Sequence, residues 1–573
     1  MQIKESSKEY DAVIVGSGAG GGMTAKVLAD AGLNIAIIEA GPYFDPADKN
    51  MRTQLRGTWE SPRRGAGTLR SFGDFHAGLS GWQIPGEPYD TVGDTEFQWW
   101  RTRMLGGRTN HWGRISLRFG PDDFHRKDID GLGENWPIRY EDIAPYYDKV
   151  DKLVGVFGTN ENLPNDPDSF FLPPPKPRLH ELYTTEAGKK VGIPMIPGRL
   201  SMVTKKINED RGVCFYCGQC SRACSVYADF SAGTCLIFPA MKGKGQIDLF
   251  TNCMAREVIT DASGKATAIS YISKDDRREY QVKGKVIVLA ASACETARLL
   301  FNSKAPGMTA GLGNGSGTLG RYLHDSTGTG TSALIPSLLD RELYNEDGVG
   351  GMHVYAPWWG NNKKLDFPRG YHLEVWGGLG MPSYGFGGQL TRVQEMLGYK
   401  VGGYGNPMLK EVKQMYGAVV GMSGRGESVA LYDNYCEINP GKVDEWGIPT
   451  LRFHYKWTDH ERLQAKHMHV SIREILTAMG GELFEPEIPS YESDHGLLAP
   501  GAIIHEVGTA RMHDDPKQGV CDRNSRLHEV PNVYVTDAAS FTSQADKNPT
   551  WTIMALAWRA ADHILSERQK MNI

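Results

Sequence analysis

Residues 11–39 restrict the fold more tightly than any other part of this chain. Asp11-Ala-Val-Ile-Val15 is an apolar run of strand length, Gly16-Ser-Gly-Ala-Gly-Gly21 reads as a turn, Gly22 to Ala31 as a helix, and Leu33 to Glu39 as a second strand. The apolar spacing changes from strand to helix period and back at those boundaries. A βαβ unit with glycines at its first turn meets the physical needs of a dinucleotide. Gly16 makes the tight turn, Gly18 lets the backbone approach a pyrophosphate, and Gly21 permits close packing of the helix, whose N-terminus favours negative charge. Glu39, at the end of the second strand, is expected to bind the ribose hydroxyls of an adenosine half and to disfavour a 2′-phosphate. The unit alone leaves FAD and NAD both open.

Further along, Lys285-Val-Ile-Val-Leu-Ala290 reads as another buried strand followed by a helix at Glu295 to Leu300. Near the end, Asn532 to Thr536 reads as a parallel-type strand and Thr552 to Ser566 as an amphipathic helix. First and last segments are therefore expected in one sheet. From about Ser332 to Asp494 the pattern changes to short aromatic and β-branched runs, such as Met352 to Tyr355 and Thr450 to Tyr455, separated by glycine-rich turns. The expectation is an α/β chain of mixed type: a Rossmann-like dinucleotide domain over 1–330 and 496–573, interwoven with a mainly antiparallel substrate domain over 331–495. Residues 46–97 and 164–177, rich in Gly, Pro and charge, are expected as surface loops or a lid. No internal repeat is visible.

Composition excludes several classes. With 573 residues, 40% hydrophobic and 23% charged, the chain is not wholly disordered, and a formal net charge of −5 gives no overall basic footprint for nucleic acid. The longest mainly apolar stretch, Val286 to Cys294, is about half of what a membrane-spanning helix needs. The polar start, Met1 to Tyr10, passes straight into the first strand, with no pattern of a cleavable export signal.

Of the nine cysteines, Cys214, Cys217, Cys220, Cys224 and Cys235 fall in one 22-residue window. An odd, clustered set makes a poor disulfide framework. Cys214-x2-Cys217-x2-Cys220-x3-Cys224, within an insert over 205–240, has the spacing of a bacterial ferredoxin loop, although Ser225 stands where a proline usually follows. A [4Fe–4S] or [3Fe–4S] cluster is the reading of first choice. Cys235 is a possible substitute ligand, and zinc and a disulfide or free-thiol loop stay open.

Several segments carry a resemblance. Glu39-Ala-Gly-Pro42, Gly106-Gly-Arg-Thr-Asn-His-Trp112, His505-Glu-Val-Gly-Thr-Ala-Arg-Met512 and Asn548-Pro-Thr-Trp-Thr552 resemble, in order and across nearly the whole chain, the signatures of the glucose–methanol–choline (GMC) oxidoreductases. The resemblance implies FAD, a two-domain fold, and oxidation of an alcohol, often a sugar hydroxyl, by proton abstraction and hydride transfer to flavin N5. His505 matches the family's base position. Asn548 matches the second member of the pair, and since an amide cannot act as a general base, the base assignment falls on His505. Gly107, Asn110, His111 and Trp112 of the second signature are expected beside the cofactor. Asp537 and Ala538, in a segment similar to the family's late strand end, are expected at its phosphate or ribityl part, and Leu319 to Asp325 is also similar to a family segment.

His111 resembles the histidine through which pyranose oxidases attach FAD covalently; a non-covalent contact beside the flavin and a purely structural role are the alternatives. Trp99, Trp100, Trp112 and Trp551 offer aromatic faces suited to sugar rings, or simple core packing. The bacterial sugar dehydrogenases that this chain resembles insert a cysteine-rich segment here. The implied activity is oxidation of a sugar or glycoside hydroxyl, with the glucoside 3-dehydrogenase type among the options, and electrons passing through the cluster to a cytochrome c-type or other acceptor. A small helper subunit, and periplasmic location by co-export with it, are further implications, cytoplasmic location being the runner-up. The rival enzyme reading is a pyranose-oxidase-like enzyme that reduces O2 to H2O2, with structural cysteines. A non-catalytic flavin- or metal-binding scaffold is disfavoured by the presence of both His505 and Asn548.

Overall fold

The apolar run at the chain's start is buried on both faces, as a central parallel strand requires: Ala12, Val13 and Ile14 have no exposed surface. The computed structural model describes residues 4–51, 79–220, 223–341, 348–360, 364–378 and 405–572. Part of the expected loop over 46–97 (52–78), part of the cysteine insert (221–222) and parts of the expected substrate domain (342–347, 361–363, 379–404) lie outside them.

The elements that matter here, in chain order, are β1 (Lys4–Val15), α1 (Ala19–Asp30), β2 (Ile35–Ile38), β3 (Glu279–Leu289), α2 (Ala293–Asn302), β4 (Thr327–Leu334), β5 (Tyr371–Trp376), β6 (Val419–Gly426), α3 (Asp459–Ala478), β7 (Val533–Val535) and α4 (Thr550–Gln569). β1 lies between β2 and β3, parallel to both, and β7 joins β3 in parallel. The first and last parts of the sequence thus share one sheet, as expected. Strand 247–250 extends it beyond β2, while 266–273 and 253–260 add an antiparallel edge on the first half of β3. α1 and α4 pack against one another on this sheet, and the largest apolar core surrounds it.

α1 begins at Ala19, inside the glycine run, rather than at Gly22. The glycines cost helix propensity, but tertiary packing outweighs it: Gly20, Gly21 and Gly22 are all buried. Gly18 therefore becomes the residue that starts the helix.

The second sheet is antiparallel, in the order 482–483, β4, β6, β5, 354–356, 196–197. Period-two alternation gives it two different faces. Leu373 and Val375 of β5, with Val420 and Met422 of β6, pack against Met468, Ile472, Ile475 and Leu476 of α3. The opposite face carries His372, Glu374 and Trp376, with Arg425 paired across from His372 and Ser423 across from Glu374.

The run Thr450 to Tyr455 forms a strand at 449–454, but in a separate small sheet with 435–443 and 90–91. Its apolar residues Leu451, Phe453 and Tyr455 join the core of the first sheet. Sequence alternation identifies such a strand but not the core that takes up its apolar face. The stretch 164–177 has no helix or regular strand, in keeping with its proline content.

Candidate active site

An elongated cavity of about 300 Å³ runs between the two sheets. Gly16, Gly18 and Glu39 line one end; Trp112, Glu374, Arg425, His505 and Asn548 line the other.

The glycine end fits a dinucleotide. Gly16 adopts φ +96°, and a Cβ there would sit 2.2 Å from the carbonyl oxygen of Ala290. A Cβ on Gly21 would lie 2.0 Å from the carbonyl oxygen of Gly16, so this glycine allows the helix to close on the turn. Gly18 has nothing within 4 Å of its Cβ position, because that space belongs to the cavity. Glu39 is buried. One carboxylate oxygen accepts from the Ser17 N–H at 3.2 Å and the Ser17 hydroxyl, the other from the Gly41 N–H at 2.8 Å. Burial raises its pKa against these bonds. A carboxylate has about four acceptor positions, so capacity remains for a ribose hydroxyl. Asp537, also on the lining, accepts from the Ser292 N–H (2.9 Å), the Thr296 hydroxyl (2.6 Å) and the Ala539 N–H (2.9 Å). Burial pushes it up to about 6. Ala538 and Gly107 line the cavity beside it.

The second signature divides between contact and scaffold. His111 and Trp112 reach the lining, but Asn110 does not. Its amide donates to the Leu105 carbonyl at 2.8 Å and accepts from the Ser231 hydroxyl at 2.8 Å, so it holds the turn's shape rather than facing the cofactor. His111 Nε2 lies 2.6 Å from Thr102 Oγ1. Burial, with Arg114 and Arg108 nearby, pushes this imidazole down to about 3. Of the four tryptophans, Trp100 and Trp112 line the cavity, whereas Trp99 and Trp551 are core residues, the latter donating its indole N–H to Asp151.

His505 and Asn548 meet at the far end, brought together from a non-helical segment and the residues just ahead of α4. Asn548 Nδ2 lies 3.2 Å from His505 Nε2. His505 Nδ1 lies 3.0 Å from Ser326 Oγ, which also accepts from the Gln544 side-chain amide. Asp325 holds the histidine backbone, accepting from the His505 N–H at 2.8 Å. Burial, reinforced by Glu506, pushes Asp325 up to about 7. Burial and the cation Arg425 together push His505 down to about 3, so the ring is neutral at ordinary pH. The Asn548 N–H can only donate, which makes Nε2 the acceptor and places the ring proton on Nδ1. Asn548 Oδ1 is buried without a hydrogen-bond partner among the described residues.

Four residues of this end were not singled out from the sequence: Ser326, Glu374, Trp376 and Arg425. The available signal was His372-x-Glu374-x-Trp376, a polar alternation in a strand whose intervening residues, Leu373 and Val375, are apolar.

The cysteines are not assembled in the same way. Cys214 and Cys217 are half-buried, Cys220 and Cys224 buried, and all are free thiols. Cys220 joins a small apolar cluster with Leu200 and Met202. Cys214 accepts from the Tyr216 N–H at 3.4 Å, and Cys224 from the Ala228 N–H at 3.3 Å. Cys235 donates to the Asp229 carbonyl at 3.5 Å. Among the described residues no three His, Cys, Asp or Glu side chains are grouped to hold a metal ion. Among the described residues the ferredoxin-like spacing is therefore not matched by a grouped ligand set.

Comparison with known proteins agrees with the cavity. Models of the GMC oxidoreductase family match residues 10–327 and 433–557. The 2-methyl-1,2-propanediol dehydrogenase of Mycolicibacterium austroafricanum is 27% identical, over 98% of this chain and 96% of that one. The fructose dehydrogenase large subunit of Gluconobacter japonicus is 25% identical, over 97% and 98%. Pyridoxine 4-oxidase from Mesorbium loti shares the fold, with a TM-score of 0.60 at 16% identity, over 96% of this chain and 98% of that one. No described helix is long and apolar enough to cross a membrane. A cavity with a dinucleotide cradle at one end and a neutral histidine beside an amide at the other is thus placed in its family: the chain belongs to the GMC oxidoreductases, FAD-dependent enzymes that oxidise CH–OH groups.

Proposed function

We propose that this chain oxidises a hydroxyl of a sugar or glycoside ring, of the glucoside 3-dehydrogenase type, with His505 as the base that takes the hydroxyl proton. The observation that carries the reading is the pairing of His505 Nε2 with the Asn548 amide in the same cavity as the glycine cradle. Gly16, Gly18, Glu39 and Asp537 would hold FAD, which when bound supplies the two-electron acceptor for the hydride leaving the carbinol carbon. An alcohol releases hydride readily only as its proton departs, and His505 Nε2 is suited to receive that proton once the substrate hydroxyl takes the place of the Asn548 N–H at its lone pair. The Asn548 N–H is placed to donate to the substrate oxygen as negative charge grows there. Trp112 and Ile503 on the lining limit water at this point.

The test is anaerobic reduction of the flavin by sugars and glycosides. His505→Ala is expected to slow it by about 10²–10⁴-fold, the usual worth of a general base. Reduction at the wild-type rate in that variant overturns the assignment.

For the second half of the reaction, cysteine spacing supports a cluster on Cys214, Cys217, Cys220 and Cys224 that delivers electrons to a cytochrome c-type acceptor. The rival reading has O2 as the acceptor, with structural cysteines. Iron and acid-labile sulfide analysis, with turnover compared between O2 and a one-electron dye, separates the two. A helper subunit and periplasmic location belong to the first reading, which is supported by a relative named as a large subunit; co-purification from fractionated cells tests both.

A further inference from the structure

We infer that Glu374 and Arg425 form a subsite for the hydroxyl adjacent to the one oxidised, so that the preferred substrates are vicinal diols such as a sugar ring presents on consecutive carbons. This deepens the preceding proposal and rests on its placing of the reacting hydroxyl at His505 and Asn548.

The two side chains come from neighbouring strands of the second sheet. Glu374 on β5 and Arg425 on β6 share the face turned away from α3, and both line the cavity that holds His505 and Asn548. Arg425 Nη2 lies 3.3 Å from Glu374 Oε2, with the carboxylate 2% and the guanidinium 19% exposed. A buried ion pair is a poor device for stability alone, because desolvation offsets much of its attraction. Here it stands at the lining of a ligand cavity rather than inside the apolar core beneath the sheet.

The chemistry of the pair defines what it can recognise. Arg425 directs one donor to the Gly424 carbonyl at 2.8 Å and one to Glu374; a guanidinium has five N–H donors in all, so others remain for a ligand oxygen. Glu374, accepting from Ser423 Oγ at 3.4 Å, keeps acceptor capacity. Side by side they offer a donor and an acceptor, which is what a hydroxyl group, itself donor and acceptor, requires. Their charges cancel, so the subsite suits a neutral polyol, whereas an unpaired arginine would select a carboxylate. Burial alone would raise Glu374, but Arg425 and His372 hold it down to about 2, so it stays an acceptor at every working pH.

The subsite is also tied to the reacting end. His372 Nδ1 bonds the Asp546 carbonyl, two residues before Asn548, while its Nε2 lies 3.4 Å from Glu374 Oε1. This link sets the distance between the adjacent-hydroxyl subsite and the catalytic amide.

The test uses the flavin-loaded enzyme and anaerobic flavin reduction. Two probe pairs are compared: trans-cyclohexane-1,2-diol against cyclohexanol, and methyl β-glucopyranoside against its monodeoxy analogues. The wild type is expected to favour the intact diol by about 10²-fold or more, as sites built to bond a hydroxyl do. Arg425→Met and Glu374→Gln are expected to shrink that ratio at least about tenfold, through KM and kcat/KM more than through kcat, with flavin content retained. A wild-type enzyme indifferent to the second hydroxyl overturns the inference, and so do variants that lose rate equally on both members of a pair. The cyclohexane pair applies whether or not any sugar is a substrate, and His505→Ala run in parallel reports separately on the underlying base assignment.

Discussion

Ser326 Oγ lies 3.0 Å from His505 Nδ1, the ring nitrogen opposite the one that meets Asn548. With the Asn548 amide donating to Nε2, the ring proton sits on Nδ1 and Ser326 is its acceptor. The serine oxygen is itself fixed by the Gln544 amide, so a hydroxyl outside the reacting pair sets which nitrogen carries the proton and which is left unprotonated to act as base. Ser326→Ala leaves a buried N–H without its acceptor, at a cost of about 1–3 kcal/mol. The expected result is flavin reduction slower by about 5–150-fold with little change in KM, and recovery in Ser326→Thr. Stopped-flow absorbance of the three proteins checks it; an alanine variant of unchanged rate would place tautomer control elsewhere.

Neutrality of His505 has a sign that can be measured. Its folded pKa is depressed, by burial first and by Arg425 next, from 6.5 to about 3. Flavin reduction should therefore lack an acid limb near pH 6.5 and hold its rate down to pH 5. The same depression bears on stability: an unfolded histidine takes up a proton below about pH 6.5 while the folded one does not, so this contribution is complete above that pH and lost as pH falls toward 3. Asn548→Asp reverses the local electrostatics. A carboxylate beside the ring favours imidazolium and raises its pKa, so the variant should acquire an acid limb absent from the wild type. Coincident pH profiles for the two proteins would show that Asn548 does not face the base in the working enzyme.

The loop that carries Asn548 is anchored by a buried charge. Lys547 Nζ lies 3.0 Å from Asp123 Oδ2 and 2.6 Å from Asp546 Oδ1, with all three side chains buried. Burial opposes its ammonium form, but the two carboxylates more than offset this and raise its pKa. Lys547→Met would leave Asp546 without its cation and Asp123 with Arg126 alone, and breaking a buried pair in this way costs about 3–5 kcal/mol. The expected outcome is a lower urea midpoint than the wild type at pH 7. Equal midpoints at pH 7 would mean that solvent reaches this cluster.

What the sequence discloses about such a site depends on whether the chemistry is local. Gly16, Gly18, Gly21 and Glu39 act within one βαβ unit, so their spacing states their geometry, and the structure gives each glycine the surroundings that the spacing implies. His505 and Asn548 are legible through motifs, each within one short segment, although their contact joins distant parts of the chain. Glu374 and Arg425 carry no such motif; they become partners only through the register of β5 and β6. Asn110 shows the opposite error. A signature mixes residues that touch a ligand with residues that shape the turn, and spacing does not separate the two. The cysteine run shows another limit, for thiol spacing describes what a loop can wrap and not where each sulfur points once neighbouring N–H groups and apolar side chains compete for it.

His111 offers a last test in which geometry and motif pull apart. The motif resembles one that attaches flavin through histidine, and His111 does line the cavity. Its Nε2, however, lies 2.6 Å from Thr102 Oγ1, and burial with Arg114 and Arg108 holds the ring neutral. A nitrogen engaged by a hydroxyl is poorly placed to form a bond to carbon, so the flavin is expected to be held by contacts alone. Acid precipitation of the yellow protein should leave the colour in the supernatant, and His111→Ala should lower flavin occupancy without changing that partition. Colour that stays with the precipitated wild type, and leaves it in His111→Ala, would show that the Thr102 contact yields to a covalent bond when FAD is present.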